Sequence, residues 1–271
     1  DAEAVVQLAR GHSLAATRYA SPLQTPHVYF PEVTPAQPWW DPANFTITRS
    51  LQDSMPDLTG DLDRLIRYQK TVSKLDDGFR AVLSPGAPLR EEEGNGASKD
   101  AQSGTGWAEF PLFDGERWHE AHCAIVPHIC DLLRNAREVC GVGGSPVVCG
   151  TKVIVTMFRL SPGAHVLPHT GTTNRRLILQ MPLRGSDGVR FRVGDEWRTY
   201  GSDGSPIVFD DSFEHEVVHG GSQDRYVLYA VLHHPLVTVS ESTATKASKA
   251  GEPHVIAGSH GRAISDRWVS R

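Results

Sequence analysis

The chain reads HVLPHTGTTNRRLIL from 165 to 179 and FDDSFEHEV from 209 to 217. His169 follows Pro168 and precedes Thr170-Gly171, and the polar run Thr172-Thr173-Asn174 leads into an apolar strand beginning near Arg176. His169 is therefore expected at a loop-to-strand junction that opens a barrel strand. His215 arrives just past Asp210, Asp211 and Glu214. Two imidazoles on separate strands of one small barrel, distant in sequence and close in space, are expected to converge on one metal with coordination positions left open. Most of the 13 histidines are expected to be surface or hydrogen-bonded groups, and their setting distinguishes these two. The carboxylates before His215 are placed to orient a histidine or a metal-bound water.

Outward from these stretches, strand-like runs cover Val147 to Leu160, Arg176 to Pro182, Val189 to Val193, Trp197 to Tyr200, Ile207 to Phe209 and Tyr226 to Leu232. Gly, Pro, Asp and Ser separate them, as in antiparallel hairpins. Helical patterns gather in the first half. Leu62, Leu65, Ile66, Val72, Leu75 and Phe79 recur at three- and four-residue steps, giving an amphipathic helix with Asp61 or Thr59 near its N-cap. Further helices are expected over 2 to 20 and around Ile129 to Val139, the latter with Cys130 on its first turn. GWAEFPLF (106 to 113) reads as a strand, and 84 to 106, rich in Gly, Ser and charge, as a surface loop. HVYFPEVTPAQPWWDPANF (27 to 45) reads as an extended strip, with Trp39 and Trp40 as packing anchors. The sum is mainly β with flanking helices: a double-stranded β-helix, or jelly roll, with helices packed on one face. An immunoglobulin-like sandwich is the alternative, lacking its Cys and Trp signature.

The 271 residues carry a net charge of −5, which with no basic stripe of stacking aromatics argues against a nucleic-acid binder. No run of eighteen apolar residues spans a bilayer. Cys123, Cys130, Cys140 and Cys149 are even in number and close together, which suits one or two disulfides and an oxidising compartment. A zinc site competes, without the CxxC or CxH pairs of structural zinc, and buried free thiols in a cytoplasmic enzyme are the third possibility. Asn44-Phe45-Thr46 is a glycosylation sequon. Arg225 opens RYVLYAVLHHP, where a guanidinium either holds a dicarboxylate inside a barrel or forms a surface salt bridge.

HVLPHTGTTNRRL and FDDSFEHEV, then Arg225 and LHHP, resemble the catalytic domain of the aspartyl/asparaginyl β-hydroxylases, within the Fe(II)- and 2-oxoglutarate-dependent oxygenases. The likeness extends to QPWWD (37 to 41), to GWAEFPLF and to Cys123 and Cys130, whose spacing is similar to that of a disulfide in the animal luminal enzymes. It covers 27 to 236, leaving 1 to 26 as an N-terminal helical extension and 237 to 271 as a C-terminal tail. The resemblance implies His169 and His215 as iron ligands. It implies Gly171 where wider relatives carry a carboxylate, a water in that place, Asp211 behind the water, and Arg225 on the distal carboxylate of 2-oxoglutarate. Where the family strand carries an arginine and then a histidine, this chain has Ile178 and Gln180, and Phe158 replaces a serine. Residues 176, 178 and 180 share a face, so Arg176 is expected to supply the lost charge and Gln180 a hydrogen bond to the co-substrate.

The expected activity is hydroxylation of an unactivated carbon, such as the β-carbon of Asp or Asn in a peptide or protein, in the secretory pathway or endoplasmic reticulum lumen, or in the cytoplasm if the cysteines are reduced. The alternatives are a non-catalytic jelly-roll binding module, an oxygenase acting on a small metabolite or halogenating it, and a cupin-type metal site recruiting His165 or Glu214.

Overall fold

Short strands punctuated by Gly, Pro and Asp pair here into two antiparallel sheets that face one another. The computed structural model describes residues 19–71, 78–81, 106–142, 149, 154–200 and 204–237. The helix expected over 2 to 20, the loop over 84 to 106 and the tail beyond Pro235 lie almost wholly outside these residues. In chain order the elements are β1 (Trp39–Trp40), α1 (Thr46–Asp53), α2 (Met55–Thr71), β2 (Arg80–Ala81), β3 (Trp107–Phe113), α3 (Glu120–Ile125) and α4 (Pro127–Arg134). Then come β4 (Val155–Leu160), β5 (His165–His169), β6 (Arg176–Arg184), β7 (Val189–Val193), β8 (Glu196–Thr199), β9 (Ile207–Phe209), β10 (His215–His219) and β11 (Arg225–His233). The larger sheet runs β1-β9-β6-β11-β4-β3-β2 and the smaller β5-β10-β7-β8. Strands β4 to β11 pass between the sheets as a jelly roll, and β1 to β3 extend the larger one.

Cross-strand partners share a face. The registers Arg176↔His233, Ile178↔Val231, Gln180↔Tyr229 and Phe158↔Val227 therefore put these residues, with Arg225, on one side of the larger sheet. That side meets the smaller sheet: Phe209, opposite Ile178, lies with its ring centroid 4.8 Å from that of Phe191 on β7. The opposite side, with Leu177, Leu179, Met181 and Leu228 all buried, is where α2 contacts β6 and α3 contacts β3. Coverage on both faces explains why β6 reads as an almost unbroken apolar run. Trp39 packs on Phe191 and Phe209, the anchoring role expected of it.

Several elements differ from the sequence reading. Helix α2 begins at Met55, ahead of the Thr59 or Asp61 cap. Buried Asp61 instead accepts the Ile129 N–H at 3.0 Å and a bond from His128, so it caps α4 across a 68-residue separation. Phe79 lies beyond the helix, and Val72 and Leu75 lie outside the described residues. Helix α1 was not anticipated, because its cap is also remote: Glu138 accepts from the N–H groups of Thr46 and Ile47 at 2.7 and 2.8 Å. The helix expected over 129 to 139 is α4, which starts on Pro127 and ends at Arg134. His169 does not open β6; it closes a strand of its own, β5, where Pro168 is tolerated because β5 is a sheet edge. The cysteines form Cys123–Cys130 and Cys140–Cys149 disulfides.

Just past β11, His234 packs edge-on against Trp40 and accepts the Leu236 N–H on Nδ1. Burial pushes its pKa down to about 4, so the folded state keeps the ring neutral. An unfolded histidine titrates near 6.5, so this group's contribution is complete above that value and is lost as pH falls toward about 4, to a maximum of about 3 kcal/mol. Urea unfolding is expected to weaken between about pH 7 and about pH 4.5, and less so in His234→Asn. Parallel pH profiles for the two proteins would remove His234 as the cause.

Candidate active site

His169 and His215 are direct cross-strand partners where β5 ends and β10 begins, and their ring centroids lie 4.2 Å apart. Each ring is set by the carbonyl two residues earlier. His169 Nδ1 meets Leu167 O at 2.8 Å and His215 Nδ1 meets Phe213 O at 2.9 Å. With Nδ1–H donating to these carbonyls, both rings present the Nε2 lone pair for a metal. Burial, and secondarily the neighbouring His169, pushes the His215 pKa down to about 3, so this ring stays neutral and ready to ligate.

Gly171 explains itself sterically. A Cβ at this position would lie 2.1 Å from Asp211 Oδ2, and its N–H donates to the Asp211 carbonyl at 2.5 Å. No side chain fits at 171, because the Asp211 carboxylate already occupies the space a residue-171 side chain would take. That carboxylate is held by Arg176, with Nη2 to Oδ2 at 2.6 Å and Nε to Oδ1 at 3.3 Å, both residues being buried. Arg176 thus turns to Asp211, where the sequence reading directed it toward a co-substrate. Desolvation opposes its charge, and Asp211 more than restores it, so its pKa is raised.

Among the described residues, neither Asp211, Glu214 nor His165 completes a three-donor cluster with His169 and His215. His165 bonds to Glu216, and Glu214 to Arg192. Among the described residues, the two histidines therefore form no ligand cluster with a carboxylate.

Arg225, on the inner face of the larger sheet, is buried and has no carboxylate partner among the described residues. Its Nη2 donates to Gln180 Oε1 at 2.8 Å and to the Tyr200 hydroxyl, its guanidinium stacks over the Tyr200 ring, and its Nε has no hydrogen-bond partner. Desolvation lowers its pKa. Tyr200 in turn donates to Gln180 Oε1, and burial pushes its phenol up to about 12 against the pull of Arg225, which keeps it protonated. A buried guanidinium flanked by a phenol and an amide has the donors to pair with a carboxylate. Phe158 packs between Trp107 and Tyr229, which stand on the two strands flanking β4.

A family model described as Aspartyl/Asparaginyl beta-hydroxylase matches residues 69–235. The chain belongs to that family. It is 30% identical over 205 residues to the aspartyl/asparaginyl beta-hydroxylase of Mus musculus, covering 75% of this chain and 24% of that protein. Against aspartate beta-hydroxylase domain-containing protein 2 of Mus musculus it is 36% identical over 181 residues, 64% of this chain and 50% of that one. The chain thus spans about a quarter of the first relative and half of the second. A cupin domain from an Enterobacter cloacae transcriptional regulator aligns with TM-score 0.30 and 15% identity, over 48% of this chain and 98% of that one, too distant a likeness to carry an argument.

Two contributions to the site of this family member were not read from its sequence. The sequence marks Tyr200 only as the end of a strand. Residues 23–30, assigned in part to an extended strip, tie both histidine loops together. Leu23 O accepts from Glu214 N–H, Gln24 Nε2 donates to Ser212 Oγ at 2.9 Å, Val28 N–H donates to Thr172 O at 3.0 Å, and Asn174 brackets the Phe30 backbone with two hydrogen bonds. Asn174, two residues before β6, is visible in the sequence only as a polar residue leading into an apolar run.

Proposed function

We propose that the chain is an Fe(II)- and 2-oxoglutarate-dependent oxygenase that hydroxylates an unactivated carbon, the β-carbon of an aspartyl or asparaginyl residue in a peptide or protein. The observation that carries this reading is Arg225: a buried cation with no carboxylate partner among the described residues, on the inner face of the larger sheet, which packs against the smaller sheet that bears the two-histidine pair. The donor set fits the metal as well, since paired imidazoles with no carboxylate beside them among the described residues leave coordination positions for a keto acid and oxygen.

In this reading His169 and His215 hold the metal through Nε2. Arg225 anchors the distal carboxylate, Tyr200 rotates its hydroxyl onto the same group, and Gln180 keeps the guanidinium aligned. Asp211, fixed by Arg176, offers an acceptor for a water proton beside Gly171. Phe191 and Phe209 pack against His215 and each other, and with Ile178 opposite Phe209 they put apolar surface beside the pair, which limits access of bulk water. When bound, ferrous iron supplies oxygen activation coupled to oxidative decarboxylation: substrate C–H, oxygen and 2-oxoglutarate become substrate C–OH, succinate and carbon dioxide. The relatives' names support an aspartyl or asparaginyl substrate. Both disulfides and the exposed Asn44 of the sequon support a secretory location, with 27 to 236 as the catalytic unit.

The test is succinate formation and mass-spectrometric gain of one oxygen atom when the protein is mixed under air with Fe(II), 2-oxoglutarate and Asp- or Asn-containing peptides. Product is expected only with all components present. No succinate with any peptide or free amino acid would leave a non-catalytic binding module. A separate expectation concerns Tyr200→Phe. Loss of one bond to a charged group is worth about 1.5 kcal/mol, so calorimetric affinity for 2-oxoglutarate, with Mn(II) replacing iron, should fall about tenfold. Unchanged affinity would remove Tyr200 from the receptor.

A further inference from the structure

Away from the histidine pair, Cys140, Cys149 and His233 bring their ligand atoms within 4.8 Å of one another, the one group of three or more metal-ligating side chains found among the described residues. The cysteines are joined as a disulfide, and Cys149 Sγ lies 3.3 Å from His233 Nδ1. A disulfide needs no imidazole against its sulfur. Nor is this ring held by a hydrogen bond on its other side, because His233 Nε2 is buried without a partner. With the proton on Nε2, the Nδ1 lone pair faces sulfur, and burial, which lowers the pKa of this ring, keeps it neutral.

We propose that reduction of the Cys140–Cys149 disulfide creates a second metal site, in which two thiolates and the His233 imidazole bind a thiophilic divalent cation of the zinc class. Two soft sulfur donors and one imidazole match that ion, with water in the fourth position. Two of the three donors stand on fixed backbone. Cys140 N–H donates to Val231 O at 2.9 Å, and His233 N–H donates to Glu138 O at 2.8 Å, so the segment holding Cys140 runs beside the end of β11. The step balances with a dithiol as reductant. The S–S bond breaks as the disulfide takes up two electrons and two protons, the dithiol becomes a disulfide, and both new thiols release their protons when the cation binds. The site adjoins the proposed oxygenase centre, because His233 is the cross-strand partner of Arg176, yet its existence does not depend on that reading.

Cobalt(II) is the probe, since thiolate-to-cobalt charge-transfer absorption arises from cysteine ligation and not from a two-histidine site. The full chain, reduced with a phosphine and handled without oxygen, is expected to show this absorption saturating at a single ion, displaced by zinc. The oxidised chain should not show it. A Cys123→Ser/Cys130→Ser variant should keep the band. His233→Ala, which retains both cysteines and so guards against a misfolded cysteine variant, should bind cobalt at least tenfold more weakly. Absence of the band in reduced, folded protein, as judged by circular dichroism, would overturn the proposal. So would loss of the band in Cys123→Ser/Cys130→Ser, or unchanged affinity in His233→Ala.

Discussion

His215→Ala is expected to lose Fe(II) binding by at least about 100-fold, and turnover with it, while the metal-free fold survives. Removing a group that only orients a ligand already costs about 10- to 100-fold, and here one of two protein ligands is deleted. The structural cost is smaller. His215 makes a single side-chain hydrogen bond, to a carbonyl two residues away, and packs on Phe191 and Phe209. Truncation leaves a small cavity worth about 1–3 kcal/mol. Metal titration and thermal melting on the same samples separate the two effects. A variant that melts like the wild type and still binds iron tightly would remove His215 as a ligand.

The second large effect is expected at Arg225. Arg225→Met keeps the length of the side chain and deletes the charge, so 2-oxoglutarate affinity should fall about 100-fold, the equivalent of about 2.7 kcal/mol in charge-assisted bonds. The ligand-free protein should be no less stable, and its melting temperature should rise. The wild type buries a guanidinium with no counter-charge, whose removal relieves desolvation, and Gln180 and Tyr200 still bond to each other. Reduced affinity together with reduced stability would mark Arg225 as a structural residue instead of a ligand anchor.

How far the sequence carried depended on whether the determining contacts were local. Strands β7 and β9 were read with their observed bounds, and β6 and β11 nearly so, because their apolar runs end at Gly, Pro or Asp. Strands β5 and β10, which bear the two histidines, were not delimited. In β5 Pro168 lowers the strand signal, and only its place at the sheet edge makes the proline acceptable. Helix α1 is capped by Glu138 from 91 residues away, and Asp61, which reads as a local cap, serves α4 across 68 residues instead, both beyond the reach of any local cap rule. The face shared by 176, 178 and 180 followed from strand periodicity. Which partner Arg176 would choose did not, because Asp211 approaches it from another strand. Gly171 was legible as a missing carboxylate. That Asp211 fills the same space, leaving no room for a side chain, became visible only in three dimensions. Tyr200 is not legible as a site residue, because nothing in its neighbourhood in sequence points to Arg225, 25 residues on.

The most direct test of the shared site is optical. Under anaerobic conditions, a 2-oxo acid chelating ferrous iron gives a metal-to-ligand charge-transfer absorption that neither component shows alone. Wild-type protein is expected to develop that absorption when Fe(II) and 2-oxoglutarate are both present. Arg225→Met should require about 100-fold more 2-oxoglutarate to reach it, and His215→Ala should not reach it at all. A wild-type protein that stays colourless with both components, or a His215→Ala protein that titrates like the wild type, would contradict the account.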